Sequence, residues 1–177
     1  MPVHLFNSKL KQIEMIITRK QLLRIGINKA WDFFSDPGNL ARITPGSMHF
    51  KILQPPEGKK MYPGMEITYR IRPLFGIPVT WVTKITAVNA PYYFADDQKS
   101  GPYKHWHHEH FFREMEGGTE MIDIVNYELP FGIVGNLAAK LFVNRRLESI
   151  FNYREKILEE LFPHHSLKRH NNPVTRN

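Results

Sequence analysis

Residues 30–45 read AWDFFSDPGNLARITP, and this stretch does most to decide the fold. Asn28 lies just before it and is a good N-cap residue, so a short helix is predicted over 29–34. Asp36-Pro37 predicts the start of a second helix, with a capping carboxylate followed by proline at the first helical position. That helix should end near Thr44, because a residue before proline avoids the α region. The stretch therefore predicts two short, consecutive helices.

Strands are predicted on both sides of these helices. The first covers roughly 13–23, where Ile13, Met15 and Ile17 alternate with polar residues. Six further strands are expected at 48–53, 65–72, 79–88, 92–98, 103–115 and 119–129. Consecutive strands without long crossovers pair with their neighbours, so the order predicts an antiparallel sheet.

A long amphipathic helix is predicted from Val134 to Phe162. Its apolar residues recur at helical spacing, and they are Leu137, Leu141, Leu147, Ile150, Phe151, Ile157, Leu158 and Leu161. Its length lets it cross the whole sheet. The predicted fold class is α+β, a seven-stranded antiparallel sheet wrapped around the long C-terminal helix. We expect a loosely ordered leader at 1–12, a single domain at 13–162 and a flexible basic tail at 163–177.

Four sequence motifs occur along this predicted order of strands and helices. Residues 31–40 follow the pattern Trp-x-Phe-Phe-x-x-Pro-x-x-Leu, and the motifs Tyr62-Pro63-Gly64, WHHEHFF at 106–112 and LPFG at 129–132 follow. With them the chain resembles the SRPBCC superfamily, which has the START and Bet v 1-like helix-grip fold, in its polyketide cyclase/dehydratase-like ligand-binding branch. The likeness covers about residues 13–162. It implies a cavity between the concave face of the sheet and the last helix, but no single activity, because the superfamily includes binders, cyclases and regulators.

The composition excludes several classes of function. The 177 residues include no cysteine, which rules out disulfides, Cys-ligated zinc, iron–sulfur clusters and thiol catalysis and fits a reducing cytosol. The net charge is +7. The basic residues are mixed with acidic residues along the chain and continue into the tail, which is typical of a solvated surface and does not indicate nucleic-acid binding. The most hydrophobic helical stretch, Phe131 to Val143, is too short to span a bilayer, so no transmembrane segment is expected.

The most unusual stretch is 103–110, which holds four of the nine histidines. Side chains alternate along a strand, so His108 and His110 share one face with Trp106 and Phe112. A His-x-His pair can chelate a metal ion, and its spacing to Glu114 matches part of a cupin motif. The second cupin motif is missing, however, and the long helical end does not suit that fold. We therefore expect no metal ion and no cofactor.

The hairpin through Gly117-Gly118 brings the following strand beside these histidines. There Met121, Asp123, Val125 and Tyr127 alternate onto one face. Asp123 or Tyr127 is thus expected next to His108 or His110. A carboxylate orients an imidazole and raises its pKa, which prepares a general acid or base. The other interpretation is a buried His–Asp hydrogen bond that only fixes the fold.

Three functions stay open. The leading prediction is a non-enzymatic binder or carrier of a small hydrophobic molecule, such as a lipid, a polyketide-like ring or an isoprenoid. The second is a cyclase-, dehydratase- or hydrolase-like enzyme that acts through His108 or His110 with Asp123. The third is a protein-interaction or regulatory module. The expected ligand-contacting residues are Tyr69, Ile71, Trp81, Trp106, His108, His110, Phe112, Asp123, Tyr127, Leu141 and Arg145.

Several charged residues have two interpretations at this point. Arg145 and Arg154 lie either near the cavity mouth or on a solvated helix face. Arg70 and Arg72 share a strand face, where they would bind a ligand carboxylate or remain in solvent. We further expect a cytoplasmic location and no nucleic-acid partner, with a homodimer left open.

Overall fold

A computed structural model describes residues 15–54, 58, 60–73, 76–130 and 137–163, without the side chains of 137–140. The predicted leader at 1–12 lies outside the described residues. So do the turn at 55–57, the residues 131–136 before the long helix and all but the first residue of the predicted tail.

Seven strands form one antiparallel sheet in the order β1-β7-β6-β5-β4-β3-β2. The strands are β1 (Met15–Leu23), β2 (Lys51–Gln54), β3 (Glu66–Ile71), β4 (Val79–Asn89), β5 (Tyr93–Ser100), β6 (His105–Met115) and β7 (Gly118–Glu128). Every neighbouring pair is consecutive in sequence except β1 and β7, where Met15 lies opposite Tyr127. The predicted seven-stranded antiparallel sheet is confirmed.

The alternation along each strand decides which face is buried. In β3 the side chains of Ile67, Tyr69 and Ile71 are buried, whereas Arg70 between them is exposed. The β6–β7 hairpin turns at two glycines, and Gly118 must be glycine. Its φ is +153°, and a Cβ there would lie 2.0 Å from the carbonyl oxygen of Leu23. The hairpin can therefore pass close to the end of β1.

The short helices follow the sequence pattern with two differences. Helix α1 (Ile27–Phe34) begins before the predicted Asn28 cap, because Gly26 is the N-cap residue and makes no side-chain cap. The second helix, Pro37–Ile43, starts as predicted, with the Asp36 carboxylate accepting the Gly38 N–H at 2.8 Å, but it is a 3₁₀ helix. Thr44 then returns to extended backbone.

A second 3₁₀ helix, Gly46–Met48, occupies the start of the strand that was predicted at 48–53. It ends at His49, whose φ of 46° lies in the left-handed region, and β2 begins only at Lys51. The prediction was wrong here because the residues around Gly46 form a helical turn.

Helix α2 (Leu137–Leu161) runs along the same face of the sheet that carries the apolar side chains. Within residues 141–161 of this helix the buried side chains are Val143, Leu147, Phe151 and Leu158, which recur every four or seven positions. Leu141 was predicted to belong to this stripe but is 50% exposed. It lies two residues before Val143, a rotation of about 160° around the helix. No helix in the described ranges is long and apolar enough to cross a membrane.

Two apolar clusters fill the space between the elements. The first joins β3, β4, β7 and α2 and contains a group of rings that includes Tyr69, Trp81 and Tyr127. The second packs α1 against the sheet, with Trp31 and Phe112 in edge-to-face contact at 6.2 Å. Rings from both clusters surround the candidate site.

Candidate binding cavity

A cavity of about 150 Å³ lies between the sheet and α2. Strands β3 to β6 supply one wall, α2 supplies the opposite wall, and α1 with the two 3₁₀ helices closes one side. Residues from the sheet include Ile67, Thr83, Ile85, Phe94 and Asp96; residues from α2 are Leu147, Ile150, Phe151 and Arg154. The chain order strand, short helices, strands, long helix places each of these walls.

Six of the residues predicted from sequence line this cavity, and they are Tyr69, Ile71, Trp81, Trp106, His108 and His110. They reach it because alternation places each of them on the inner face of its strand. Whether any of them contacts a ligand stays a prediction.

The other predicted residues lie elsewhere. Phe112 lies two residues after His110 on the same face of β6. It is buried and packs against Phe34, with ring centroids 5.4 Å apart. Tyr127 is fully buried, and its hydroxyl donates to Asn144 Oδ1 at 3.2 Å. Leu141 and Arg145 are exposed because each lies two positions from the buried Val143, which places it on nearly the opposite side of α2. Leu141 and Arg145 were therefore placed wrongly at the cavity, whereas Arg154 does line it. Of the other charged candidates, Arg70 and Arg72 are exposed.

Aromatic rings form much of the cavity wall. Trp81 stacks on Tyr69 at 5.9 Å and meets Trp106 edge-on at 5.2 Å. The Tyr69 hydroxyl lies 3.1 Å from Thr83 Oγ1. Burial raises the pKa of Tyr69 and of Tyr103 above the ordinary tyrosine value, so both hydroxyls stay protonated at neutral pH.

The polar part of the site is a buried cluster of histidine and aspartate side chains. His110 lies opposite Asp123 in the β6–β7 register, and its Nδ1 is 2.6 Å from Asp123 Oδ1. His108 Nε2 is 3.3 Å from the same oxygen. Exposure of the two histidines is 6% each, and that of Asp123 is 2%. The predicted position of Asp123 beside the histidines is correct, whereas Tyr127 lies opposite Trp106.

Two members of this cluster were missed or left open by the sequence reasoning. Asp96 on β5 lies opposite His108, and its Oδ2 is 3.5 Å from His110 Nε2 and 4.0 Å from His108 Nδ1. The alternation of Phe94, Asp96 and Gln98 along β5, paired with β6, was the available signal. Arg154 Nη1 reaches to 3.9 Å from Asp123 Oδ2.

Burial and neighbouring charge set the protonation of the cluster. Burial, reinforced by nearby His110, lowers the pKa of His108. Burial also lowers the pKa of His110, but the carboxylates of Asp123 and Asp96 outweigh it and the net shift is upward. Burial raises the pKa of Asp123, yet His110 and His108 together hold that pKa well below its ordinary value. At neutral pH the cluster thus has an ionised Asp123, a neutral His108 and a His110 that holds its proton more firmly than a free histidine.

Comparison with known proteins supports the fold. No family model matches the sequence, and no curated protein matches it. Among solved structures, protein Ms6760 from Mycobacterium smegmatis has a TM-score of 0.63 at 18% identity, over 85% of this chain and 93% of that one. The di-domain ARO/CYC protein BexL has a TM-score of 0.64 at 13% identity, over 85% of this chain and 50% of that one.

The allergen Ara h 8.0201 matches as well, with a TM-score of 0.57 at 12% identity over 84% of this chain and 99% of that one. Likenesses at such low identity describe the fold. The chain has a Bet v 1-like helix-grip α+β fold, as the sequence predicted.

Proposed function

We propose that this chain, with the helix-grip fold of the SRPBCC superfamily, binds a small hydrophobic molecule in the cavity between the sheet and α2. The observation that carries the proposal is the cavity itself. Its walls are mostly rings and aliphatic side chains, and a few polar groups converge on the β5–β6 wall. Apolar cavities with a few placed polar groups are the usual form of a small-molecule site.

The volume also ranks the ligand classes. An apolar cavity of about 150 Å³ accepts a molecule the size of benzene. A compact ring-shaped ligand, as in the polyketide-like class, therefore fits without any movement of the walls. A lipid or isoprenoid chain needs more space, which α2 would provide only by moving away from the sheet. We favour the ring-shaped ligand.

The polar groups that border the cavity near β5 and β6 favour a ligand with an oxygen atom at one edge. His110 holds its proton firmly, and the Arg154 guanidinium also borders the cavity. Both groups donate hydrogen bonds, so they suit a carbonyl, hydroxyl or carboxylate oxygen. The rings of Trp81 and Trp106 would then cover the apolar part of the ligand.

Ligand-induced stabilisation tests the proposal. Thermal unfolding is measured in EDTA with a panel of small aromatic probes, namely toluene, indole and salicylate. A ligand at one hundred times its dissociation constant stabilises the folded state by about 2.7 kcal/mol. We expect at least one probe to raise the unfolding temperature of the native chain.

Two substitutions on α2 localise the effect. Ile150 lines the cavity, so Ile150→Trp should fill it and abolish the stabilisation. Leu141 is exposed on the same helix, so Leu141→Trp is the matched control and should respond as the native chain does. Equal responses of both variants, or no response to any probe, would contradict the proposal.

A second candidate function is catalysis of the cyclase, dehydratase or hydrolase kind. The observation in its favour is that His110 borders the cavity and its Nδ1 lies 2.6 Å from Asp123 Oδ1, which places a carboxylate beside a candidate general acid or base. If this function holds, ligand extracted from the protein should be converted on incubation with fresh protein. His110→Gln should stop the conversion while the ligand still stabilises the fold. Recovery of unchanged ligand from the native chain argues for binding alone.

The remaining expectations are part of the same proposal. We place the ligand-binding domain at residues 13–162. We also place the protein in the cytoplasm, because a chain without cysteine needs no disulfide and suits a reducing compartment. We propose no nucleic-acid partner, since basic and acidic residues are mixed along the chain. A homodimer stays open, and sedimentation analysis of the purified chain would decide it.

A further inference from the structure

We propose that Asp96, His108 and His110 form a binding site for one divalent transition-metal ion at the polar wall of the cavity. Each residue offers one ligand atom, and the three atoms lie within 4.8 Å of one another. The proposal goes beyond the binding of a hydrophobic molecule and does not depend on it, because the ligand atoms all belong to the chain.

The distances suit a small ion after minor adjustment. Metal–nitrogen and metal–oxygen bonds of about 2.0–2.2 Å in a tetrahedral site place neighbouring ligand atoms roughly 3.4 Å apart. Asp96 Oδ2 is already 3.5 Å from His110 Nε2 and 4.0 Å from His108 Nδ1. The two histidine nitrogens lie within 4.8 Å of each other, so small rotations of the two rings would bring all three atoms to this spacing.

Asp123 lies on the side of the two histidine rings that faces away from Asp96. Its Oδ1 lies against the opposite nitrogen of each ring, 2.6 Å from His110 Nδ1 and 3.3 Å from His108 Nε2. Histidine ligands of protein-bound metals commonly contact a carboxylate through their second nitrogen, which fixes the ring and leaves the first nitrogen free for the metal. Here one carboxylate oxygen lies beside the second nitrogen of both rings, and His108 Nδ1 and His110 Nε2 lie on the side of Asp96.

The donor set and its surroundings define the class of metal. Two imidazoles and one carboxylate suit zinc, iron(II) and related ions, whereas magnesium and calcium favour oxygen ligands. Three protein ligands leave at least one coordination position free. All three residues line the cavity, so that position opens toward it.

This site differs from the one considered on sequence grounds. There the third ligand was Glu114, four positions after His110. In the structure Glu114 is exposed and lies opposite Thr119, near the hairpin end of β6. Asp96 takes its place because β5 lies beside β6 in register with His108.

Calorimetric titration with Zn²⁺ tests the proposal. The full chain is prepared without a polyhistidine tag, stripped with EDTA and dialysed. We expect one ion per chain, with binding weakened by about 10- to 100-fold in Asp123→Asn and by at least that much in Asp96→Asn and His108→Gln. Titration with Co²⁺ gives a second readout, since its visible absorption reports whether nitrogen and oxygen ligands surround the ion.

Two controls separate this site from other histidines. His107 lies on the opposite face of β6 beside Asp97, so His107→Gln should bind Zn²⁺ as the native chain does. The sequence also contains the pair His164-His165, and its double alanine variant should likewise keep the bound ion. Circular dichroism in EDTA verifies that each variant is folded, and Asp96→Asn, at a partly exposed residue, is the substitution least disruptive to the core.

Native-like Zn²⁺ affinity in Asp96→Asn overturns the proposal. So does loss of the ion in the His164-His165 variant. Neither result bears on the hydrophobic ligand, whose binding is measured in EDTA. Failure of the metal site and failure of the proposed function can therefore be told apart.

Discussion

Replacing Asp123 by asparagine should destabilise the fold strongly. The carboxylate is 2% exposed and lies within 3.9 Å of His108, His110 and Arg154. Removing one partner of a buried charge pair typically costs about 3–5 kcal/mol, because the remaining charge is left uncompensated. Asparagine has nearly the same shape, so the loss would come from charge and not from a new void.

The chain contains a matched control on the outer face of the same sheet. Asp97 Oδ1 lies 2.5 Å from His107 Nδ1, which is almost the same separation as in the His110–Asp123 pair. The side chains of His107 and Asp97 are 33% and 43% exposed, however. Exposed ion pairs contribute only about 0–1 kcal/mol, so Asp97→Asn should change the stability little.

Urea unfolding in EDTA at neutral pH, followed by circular dichroism, measures both variants. The free energy of unfolding should fall by about 3–5 kcal/mol in Asp123→Asn and by less than about 1 kcal/mol in Asp97→Asn. Equal losses in the two variants would contradict this prediction, because the expected difference comes from the burial of Asp123 among His108, His110 and Arg154.

Two further predictions concern the core. Burial raises the pKa of Tyr69 and Tyr103, so both phenols favour the folded state below the ordinary tyrosine pKa, and this contribution falls as the pH rises above it. A spectroscopic titration should show the buried pair ionising only together with unfolding; ionisation of all seven tyrosines before unfolding would contradict this. Gly118→Ala should lose more than about 1 kcal/mol in urea unfolding, because φ is positive and its Cβ would meet the Leu23 carbonyl oxygen. Gly46→Ala, where a Cβ meets nothing within 4 Å, is the control, and an equal effect in both would count against this reason.

Much of the fold could be predicted from the chain because its signals are local. The Asp36-Pro37 pair started a helix where expected, and alternation along β3 and β7 placed the buried side chains correctly. The errors arose where tertiary packing decides. Gly26 and not Asn28 is the N-cap residue of α1, and Met48, where a strand was predicted to begin, is the last residue of a 3₁₀ helix.

The site could be predicted only in part. The Gly117-Gly118 hairpin fixes the β6–β7 register, so Asp123 could be placed beside the histidines. Asp96 was missed because the β5–β6 register depends on a longer loop, which local patterns do not determine. Leu141 and Arg145 were misplaced because the rotation of α2 about its axis is set by its packing on the sheet.

Native mass spectrometry of gently purified chain, followed by solvent extraction of any bound species, shows whether the cavity between the sheet and α2 holds a hydrophobic ligand. We expect a one-to-one added mass that solvent removes and that belongs to a compact, mostly apolar molecule carrying at least one oxygen. The same added mass should be missing from Ile150→Trp and present on Leu141→Trp. A bare mass for the native chain, with no stabilisation by any of the aromatic probes, would contradict the claim that this cavity holds a hydrophobic ligand.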